Sequence, residues 1–104
     1  MRELPRLVTV VLACVGAIGC VQMTPTESCG AICSEMEQCQ MTIVGSPLVA
    51  GPSCAGDCLN LLEARGATCK SSAAYLADCF QTYTCNGISV GCSQNANSFS
   101  NDCS

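Results

Sequence analysis

The chain has 104 residues, of which twelve are cysteine and none is histidine or tryptophan, and its formal net charge is −4. A chain of this length forms one small domain, and a cysteine share above about a tenth is typical of a disulfide scaffold. The lack of histidine excludes Ser-His and Cys-His catalysis, and the acidic charge argues against a nucleic-acid partner.

The N-terminal segment has a basic start followed by an apolar run. Arg2 and Arg6 precede residues 7–18, which are almost entirely apolar. This run is shorter than the about 20 residues that span a bilayer, and small residues follow it directly. The pattern predicts a secretory signal peptide at residues 1–19. A buried N-terminal helix is the alternative, but the run has no polar face. Export would bring the remaining cysteines into an oxidising compartment.

The number of cysteines bears on the role of Cys20. Cleavage after Ala17 would leave eleven cysteines and therefore one unpaired thiol, whereas setting Cys14 and Cys20 aside leaves ten, enough for five disulfides. The sequence Ala17-Ile18-Gly19-Cys20 resembles a bacterial lipobox, with Ala where Leu is usual. The resemblance implies that Cys20 is acylated and becomes the mature N-terminus, with residues 21–28 as a tether.

The residue after the acylated cysteine indicates the compartment. Val21 stands where inner-membrane lipoproteins carry Asp, which implies an outer-membrane lipoprotein in a two-membrane bacterium. More than one acyl chain anchors a protein stably, since each buried methylene contributes about 0.8 kcal/mol. The alternative is a plain secreted protein with an odd thiol, or with Cys20 lost in a later cut.

Two helices are predicted in the first half of the domain at residues 29–104. Ser28 is the expected N-cap of a first helix that runs to about residue 41. Residues 42–52 contain two Gly and two Pro and are expected to form a loop. Ser53 is the expected cap of a second helix, and Gly66 suits a left-handed residue at its end.

The second half is expected to contain a long third helix. It runs from about residue 69 to 85 and is stopped by Asn86-Gly87. The segment from Cys92 to Cys103 is rich in Asn and Ser and is either a short fourth helix or an irregular wrap. We therefore predict an all-α, disulfide-stapled bundle of three to four short helices. The apolar stripe of the third helix is Ala73, Leu76, Phe80 and Tyr83.

Cysteine spacing predicts part of the disulfide map. Two C-x3-C pairs place their sulfurs on one face of each of two helices, so antiparallel helices would join Cys29 to Cys58 and Cys33 to Cys54. In an up-down bundle Cys39 pairs with Cys79 or Cys85, which leaves Cys69 with Cys103 and a hairpin bridge to Cys92. The ten cysteines of the domain are Cys29, Cys33, Cys39, Cys54, Cys58, Cys69, Cys79, Cys85, Cys92 and Cys103.

Signals for chemistry are weak. Zinc sites and thiol–disulfide catalysts favour C-x2-C pairs, and the chain has none. Glu35 and Glu37 are two apart on a helix and so are expected to point in different directions. Tyr75 and Tyr83 are better explained by packing than as a binding platform. We expect no catalytic residue, no metal and no cofactor.

The loop between the first two helices is the one candidate contact surface. Its apolar residues are expected either to fold over a small core or, if exposed, to contact a partner. They are Ile43, Val44, Leu48 and Val49.

The order of cysteines resembles that of the small Cys-rich lipoproteins found in many copies in large-genome bacteria such as myxobacteria. The stretch from Cys69 to Cys79, with small residues, then Tyr75 and Leu76, is similar to a segment usual in that family. The resemblance implies compartment and fold but no activity. A weaker similarity, residues 95–104 to the C-terminus of the sterol-binding elicitins, implies an apolar ligand instead.

Together these observations favour an envelope-anchored structural or interaction lipoprotein without catalytic activity. Its partners would be the membrane, through the N-terminal lipid, and a protein. The alternative is a secreted binding protein for an apolar ligand or a host target. An apolar-ligand carrier needs a cavity of roughly 300 Å³ or more, whereas an interaction module needs none.

Overall fold

A computed structural model describes the backbone of residues 11–14 and 20–104 and the side chains from Met23 onward. The domain at 29–104 is all-helical and disulfide-stapled, as predicted, although the described part contains five helices rather than three to four. The elements are β1 (Val11–Cys14), β2 (Cys20–Met23), α1 (Pro25–Gln38), α2 (Cys54–Arg65), α3 (Ala67–Thr82), α4 (Cys85–Gly91) and α5 (Ser93–Asp102).

The two strands precede the helical domain. They pair antiparallel, with Val11 opposite Met23 and Cys14 opposite Cys20, and both contact α3. β1 belongs to the segment predicted to be removed as a signal peptide; most of residues 1–19, including Ala17-Ile18-Gly19 of the lipobox, lie outside the described residues. The signal peptide therefore stays a prediction.

The first helix begins earlier than predicted. Thr24 is its N-cap: the Glu27 amide donates to Thr24 Oγ1 at 3.1 Å, and the Thr24 amide donates to Glu27 Oε1 at 2.9 Å. This is a capping box with Pro25 in the first turn, a signal that Thr-Pro-Thr-Glu carries in the sequence. The prediction that Ser28 caps the helix is therefore wrong, and Ser28 is buried inside α1. Residues 25–28 of the predicted tether are helical.

The disulfides fix the directions of the helices. Cys29–Cys58 and Cys33–Cys54 join α1 to α2 in the antiparallel arrangement that the spacing predicts. Cys39–Cys85 brings the end of α1 next to the end of α3, so these two helices run in the same direction. Cys69–Cys103 and Cys79–Cys92 join α3 to an antiparallel α5. Of the two partners open to Cys39, the structure selects Cys85.

These directions define two ends of the domain. The proximal end contains the start of α1, the end of α2 and the start of α3. The distal end contains the end of α1, the start of the loop that follows it, the end of α3, and α4. The helix α1 separates them by 14 residues, or about 21 Å at 1.5 Å per residue.

The core lies around α3 and contains both disulfide-bonded cysteines and apolar side chains. Ala73, Leu76 and Phe80 of the predicted stripe are buried. Tyr83 is not part of it, since it is 45% exposed. The largest fully buried side chains are Phe80, Phe99, Ile32, Met36, Leu62 and Leu76, together with Cys29, Cys54, Cys58, Cys69, Cys92 and Cys103.

The chain breaks at Tyr83 rather than at Asn86-Gly87. Tyr83 is extended, with φ −105° and ψ 153°, and a new helix starts at Cys85 with Thr84 as its N-cap. The prediction of a stop at residues 86–87 is wrong, because both residues lie inside α4. Glycine at positions 87 and 91 leaves room for the Tyr83 ring on this helix.

Two glycines provide a matched test of this contact. A Cβ at Gly91 would lie 2.5 Å from Cζ of Tyr83, whereas a Cβ at Gly30 in α1 meets nothing within 4 Å. We expect Gly91→Ala to lower the free energy of unfolding by about 1 kcal/mol through overpacking. Gly30→Ala should raise it by about 0.5–1 kcal/mol, since alanine favours a helix. Urea unfolding with intact disulfides measures both.

We attribute the expected loss of stability in Gly91→Ala to the contact with Tyr83, and mutation of Tyr83 removes that contact. In a Tyr83→Ala background, Gly91→Ala should become stabilising. An unchanged loss of stability in that background would show that some other contact of Gly91 is responsible.

Candidate functional site

The apolar loop after α1 is divided between core and surface. Ile43 and Leu48 are each 4% exposed and pack into the core, whereas Val44 is 87% exposed and Val49 is 69% exposed. Packing over the core therefore describes Ile43 and Leu48, whereas Val44 and Val49 are exposed and a partner contact at these two residues stays a prediction. The sequence places all four in one apolar loop and does not indicate which of them face inward.

Hydrogen bonds hold this loop in one conformation. The Ser46 amide donates to the Ile43 carbonyl at 3.0 Å, and the Leu48 amide donates to Ser46 Oγ at 3.2 Å. Ser100 Oγ of α5 donates to the Val44 carbonyl at 2.6 Å. Gly45 has φ +85°, a conformation that residues other than glycine rarely adopt. The loop is thus tied to α5.

A pocket of about 230 Å³ lies where this loop meets α3, α4 and α5. We call it the distal pocket. Its walls come from the loop, from the end of α3, and from the two helices after the break at Tyr83. The lining residues are Met41, Thr42, Ile43, Val44, Phe80, Ile88, Ser89, Cys92, Ser93, Ala96 and Asn97.

The distal pocket has an apolar interior and an uncharged polar rim. Phe80, Ile88 and Cys92 are buried at its base, Ala96 is partly buried beside them, and none of the described residues that line the pocket is charged. Thr42, Ser89 and Asn97 are exposed at the rim, and among residues 23–104 none of their side chains makes a hydrogen bond. The pocket can therefore take an apolar group and offer hydroxyl and amide partners around it.

The sequence indicates only the loop side of this pocket. It predicts Ile43 and Val44 as contact residues but does not indicate Phe80, Ile88 or Ala96. One residue of the other walls could have been noticed in the sequence: Ile88 is one of two large apolar side chains between Tyr83 and Phe99. The other, Val90, is 82% exposed on the same short helix.

Charge is distributed unevenly between the two ends. Arg65 and Lys70 are the only basic residues after position 20, and both lie at the proximal end. There Lys70 Nζ is 3.9 Å from a Glu63 carboxylate oxygen. Glu35 and Glu37 in the last turn of α1 and Asp78 near the end of α3 lie toward the distal end, where no basic residue after position 20 accompanies them. The carboxylates of Glu27, Glu63 and Asp102 lie at the proximal end together with the two basic residues. The distal end is therefore acidic.

One group of potential metal ligands occurs within the described residues. Glu35 lies beside Cys39 and Cys85, and its Oε1 is 3.6 Å from Cys39 Sγ. The two sulfurs are joined to each other as a disulfide, so neither is a thiolate that could bind a metal. The group therefore offers a single carboxylate.

Besides Ser28, two other polar groups are buried away from the distal pocket. Burial raises the pKa of the Tyr75 phenol above its ordinary value of 10.0, and the Tyr75 hydroxyl has no hydrogen-bond partner in the described part of the chain. Ser72 Oγ donates to the Asp102 carboxylate, which adds a polar contact beside the Cys69–Cys103 disulfide. Neither group lines the distal pocket. The Ser72–Asp102 contact joins α3 to α5, and the Tyr75 hydroxyl is buried by packing.

The predicted lipidation site lies at the start of β2. The backbone of Cys20 is described, but its side chain lies outside the described residues, so acylation stays a prediction. Between Cys20 and the N-cap Thr24 there are only residues 21–23. In the part of the chain that the structure describes, no helix is both long and apolar enough to cross a bilayer.

The fold and the pocket define a class of protein: a small, all-helical domain cross-linked by five disulfides, with one acidic end that carries an apolar pocket. Comparison with protein-family models, with curated proteins and with solved structures found no match.

Proposed function

We propose that this chain is an envelope-anchored interaction lipoprotein without catalytic activity. Cys20 carries the lipid, the helical domain follows it, and the distal end is presented away from the membrane. The observation that carries the proposal is the position of the Thr24 cap, which starts the rigid domain four residues after Cys20. Four extended residues reach at most about 14 Å, so the proximal end would be held close to the lipid surface.

The resemblance of residues 17–20 to a lipobox and the cysteine order of the ten-cysteine lipoproteins support the same proposal. The cross-linked domain suits an oxidising compartment such as the envelope. The membrane proposed is the outer one, as Val21 suggests, and a secreted form is the alternative.

The competing class is a secreted carrier of an apolar ligand. Small-molecule sites occupy about 300–1,000 Å³, and the distal pocket, at about 230 Å³, is smaller. The pocket is also open at its rim, where Thr42 and Ser89 are exposed. This size favours the interaction module over the carrier.

An enzyme is the least favoured class. Within the described residues the distal pocket contains no carboxylate, amine or thiol that could act as nucleophile or general base. The carboxylates of the domain lie outside the lining of this pocket.

Cys20→Ser tests the anchor. The wild-type chain, expressed in a bacterium that acylates lipoproteins, should yield a mature protein that begins at Cys20 and carries the mass of its acyl chains. The serine variant should lose that mass and move from the membrane to the soluble fraction, because the thiol that accepts the diacylglyceryl group is gone. Intact mass spectrometry of membrane and soluble fractions measures both effects.

Cys14→Ser is the matched control, since it changes a cysteine of the predicted leader and should leave acylation unchanged. A wild-type mature chain that begins near Ile18 and carries no lipid would contradict the anchor.

A further inference from the structure

We propose that the distal pocket binds a single large apolar side chain, aromatic or branched, presented by a basic segment of a protein partner. The inference rests on the proposed role as an interaction module, but it does not require the lipid anchor. It names the surface that makes the contact and the chemistry of the partner.

The size of the pocket favours one side chain over a whole ligand. At about 230 Å³ it is below the usual range for small-molecule sites. Protein interfaces concentrate their binding free energy in a few aromatic or large apolar anchors that fill pockets of the partner. The apolar base, formed by Phe80, Ile88 and Ala96, suits such an anchor.

The rim suits the backbone that would carry this anchor. Thr42, Ser89 and Asn97 surround the opening with hydroxyl and amide groups that have no partner among residues 23–104. A peptide backbone has an N–H and a C=O at each residue for such groups. The side chain of Val44, 87% exposed at the same rim, adds apolar contact area.

Charge selects a basic partner. The distal end carries Glu35, Glu37 and Asp78, whereas both basic residues of the mature sequence lie at the proximal end. Oppositely charged surfaces increase the association rate and disfavour partners of the wrong charge. Lys or Arg next to the anchor residue would meet this acidic field, and Asp or Glu would be repelled.

The walls of the pocket are held in place before binding. Cys39–Cys85 fixes the start of α4, Cys79–Cys92 joins α3 to the start of α5, and Ser100 holds the loop at Val44. A pre-organised site loses little conformational entropy on binding. A short peptide should therefore show measurable affinity without a larger interface.

The test uses the full chain with Cys14→Ser and Cys20→Ser, so that no acyl chain competes for the pocket. Three capped tripeptides are titrated and followed by two-dimensional NMR: Lys-Phe-Lys, Lys-Ala-Lys and Glu-Phe-Glu. We expect Lys-Phe-Lys to shift the signals of Ile43, Ile88 and Ala96. It should bind about tenfold or more tightly than either of the other two, because these lack the anchor or the charge. Raising the salt from about 20 to 200 mM should weaken it.

Two variants at the pocket keep the test independent of folding. Ala96→Leu fills the base, and Thr42→Phe blocks the exposed rim; each should reduce Lys-Phe-Lys affinity by about tenfold or more. Ala64→Leu, on an exposed position of α2 at the proximal end, is the control and should leave affinity unchanged. Five intact disulfides by mass, together with an unchanged pattern of NMR signals away from the pocket, confirm that each variant has folded.

Several results would overturn the inference. Shifts confined to the proximal end, or equal affinities for the three peptides, would rule out the pocket as an anchor site. Tighter binding of a neutral probe such as 1-hexanol, at the same residues and without salt dependence, would assign the pocket to a small apolar ligand. None of these results changes the mass or the membrane location that test the lipid anchor, so the two proposals fail separately.

Discussion

Reducing the five disulfides should convert the helical domain into a largely unfolded chain at room temperature. Each disulfide contributes about 2–4 kcal/mol by restricting the unfolded state, so five of them together contribute on the order of 10–20 kcal/mol, which is comparable to the whole net stability of a typical domain, about 5–15 kcal/mol. The apolar core is too small to replace them, since six of its twelve largest fully buried side chains are cysteines.

Reduction also changes what the core contains. Thiols at positions 29, 58 and 69 would be buried groups without the bonds that hold their helices together. Four of the five described helices have 14 residues or fewer, and α4 has only seven. Isolated helices below about 12–15 residues are marginal in water, so losing the cross-links removes the helices as well as their packing.

Far-UV circular dichroism with and without a phosphine reductant measures this loss. Intact mass counts the thiols formed, and ten are expected from the domain. Removing the reductant under a glutathione redox buffer is the control, because a reversible loss should return with the disulfides. A helical signal that persists with ten free thiols would show that apolar burial alone is sufficient.

The parts of the fold that could be predicted are those that depend only on residues close together in the sequence. Cys29 and Cys33 lie four apart, as do Cys54 and Cys58, and on antiparallel helices this spacing leaves one sensible pairing. Gly66 marks the end of α2 and has φ +87°, the positive value expected of a glycine there. Helical periodicity and the backbone conformations open to glycine are sufficient to predict these features.

The parts that could not be predicted depend on contacts between distant segments. The break at Tyr83 is not marked by a Gly or Pro; there the chain leaves α3, and two residues later Cys85 reaches Cys39. Thr24 and Ser28 are both acceptable caps by residue type, and the reciprocal hydrogen bonds with Glu27 select Thr24. Asn86-Gly87 is a common turn signal, but both residues join α4.

The distal pocket was predictable only in part for the same reason. The sequence shows its loop side as an apolar run. In the structure Ile43 and Leu48 of this run are buried, whereas Val44 and Val49 are exposed. Its other walls come from α3, α4 and α5, which meet because Cys79–Cys92 and Cys39–Cys85 close in this region. The residue pattern within any one segment does not indicate that these three helices meet.

Phe80→Ala should lower the free energy of unfolding by about 3–5 kcal/mol, the second largest effect that we expect. Phe80 is 1% exposed, packs in the core around α3 and also forms the base of the distal pocket. Truncation removes its transfer free energy and leaves a cavity that cross-linked helices cannot close by moving together. Urea unfolding with intact disulfides measures the loss.

Val44→Ala is the matched control, because Val44 lines the same pocket but is 87% exposed. It should change stability by less than about 0.5 kcal/mol, yet weaken binding of the Lys-Phe-Lys peptide, since it acts only at the rim. Phe80→Ala should also enlarge the pocket from about 230 Å³ toward the about 300 Å³ of small-molecule sites, so the variant should gain affinity for benzene-sized apolar probes. If Phe80→Ala costs no more than Val44→Ala, the base of the pocket is not part of the core, and the pocket is not the rigid site described above.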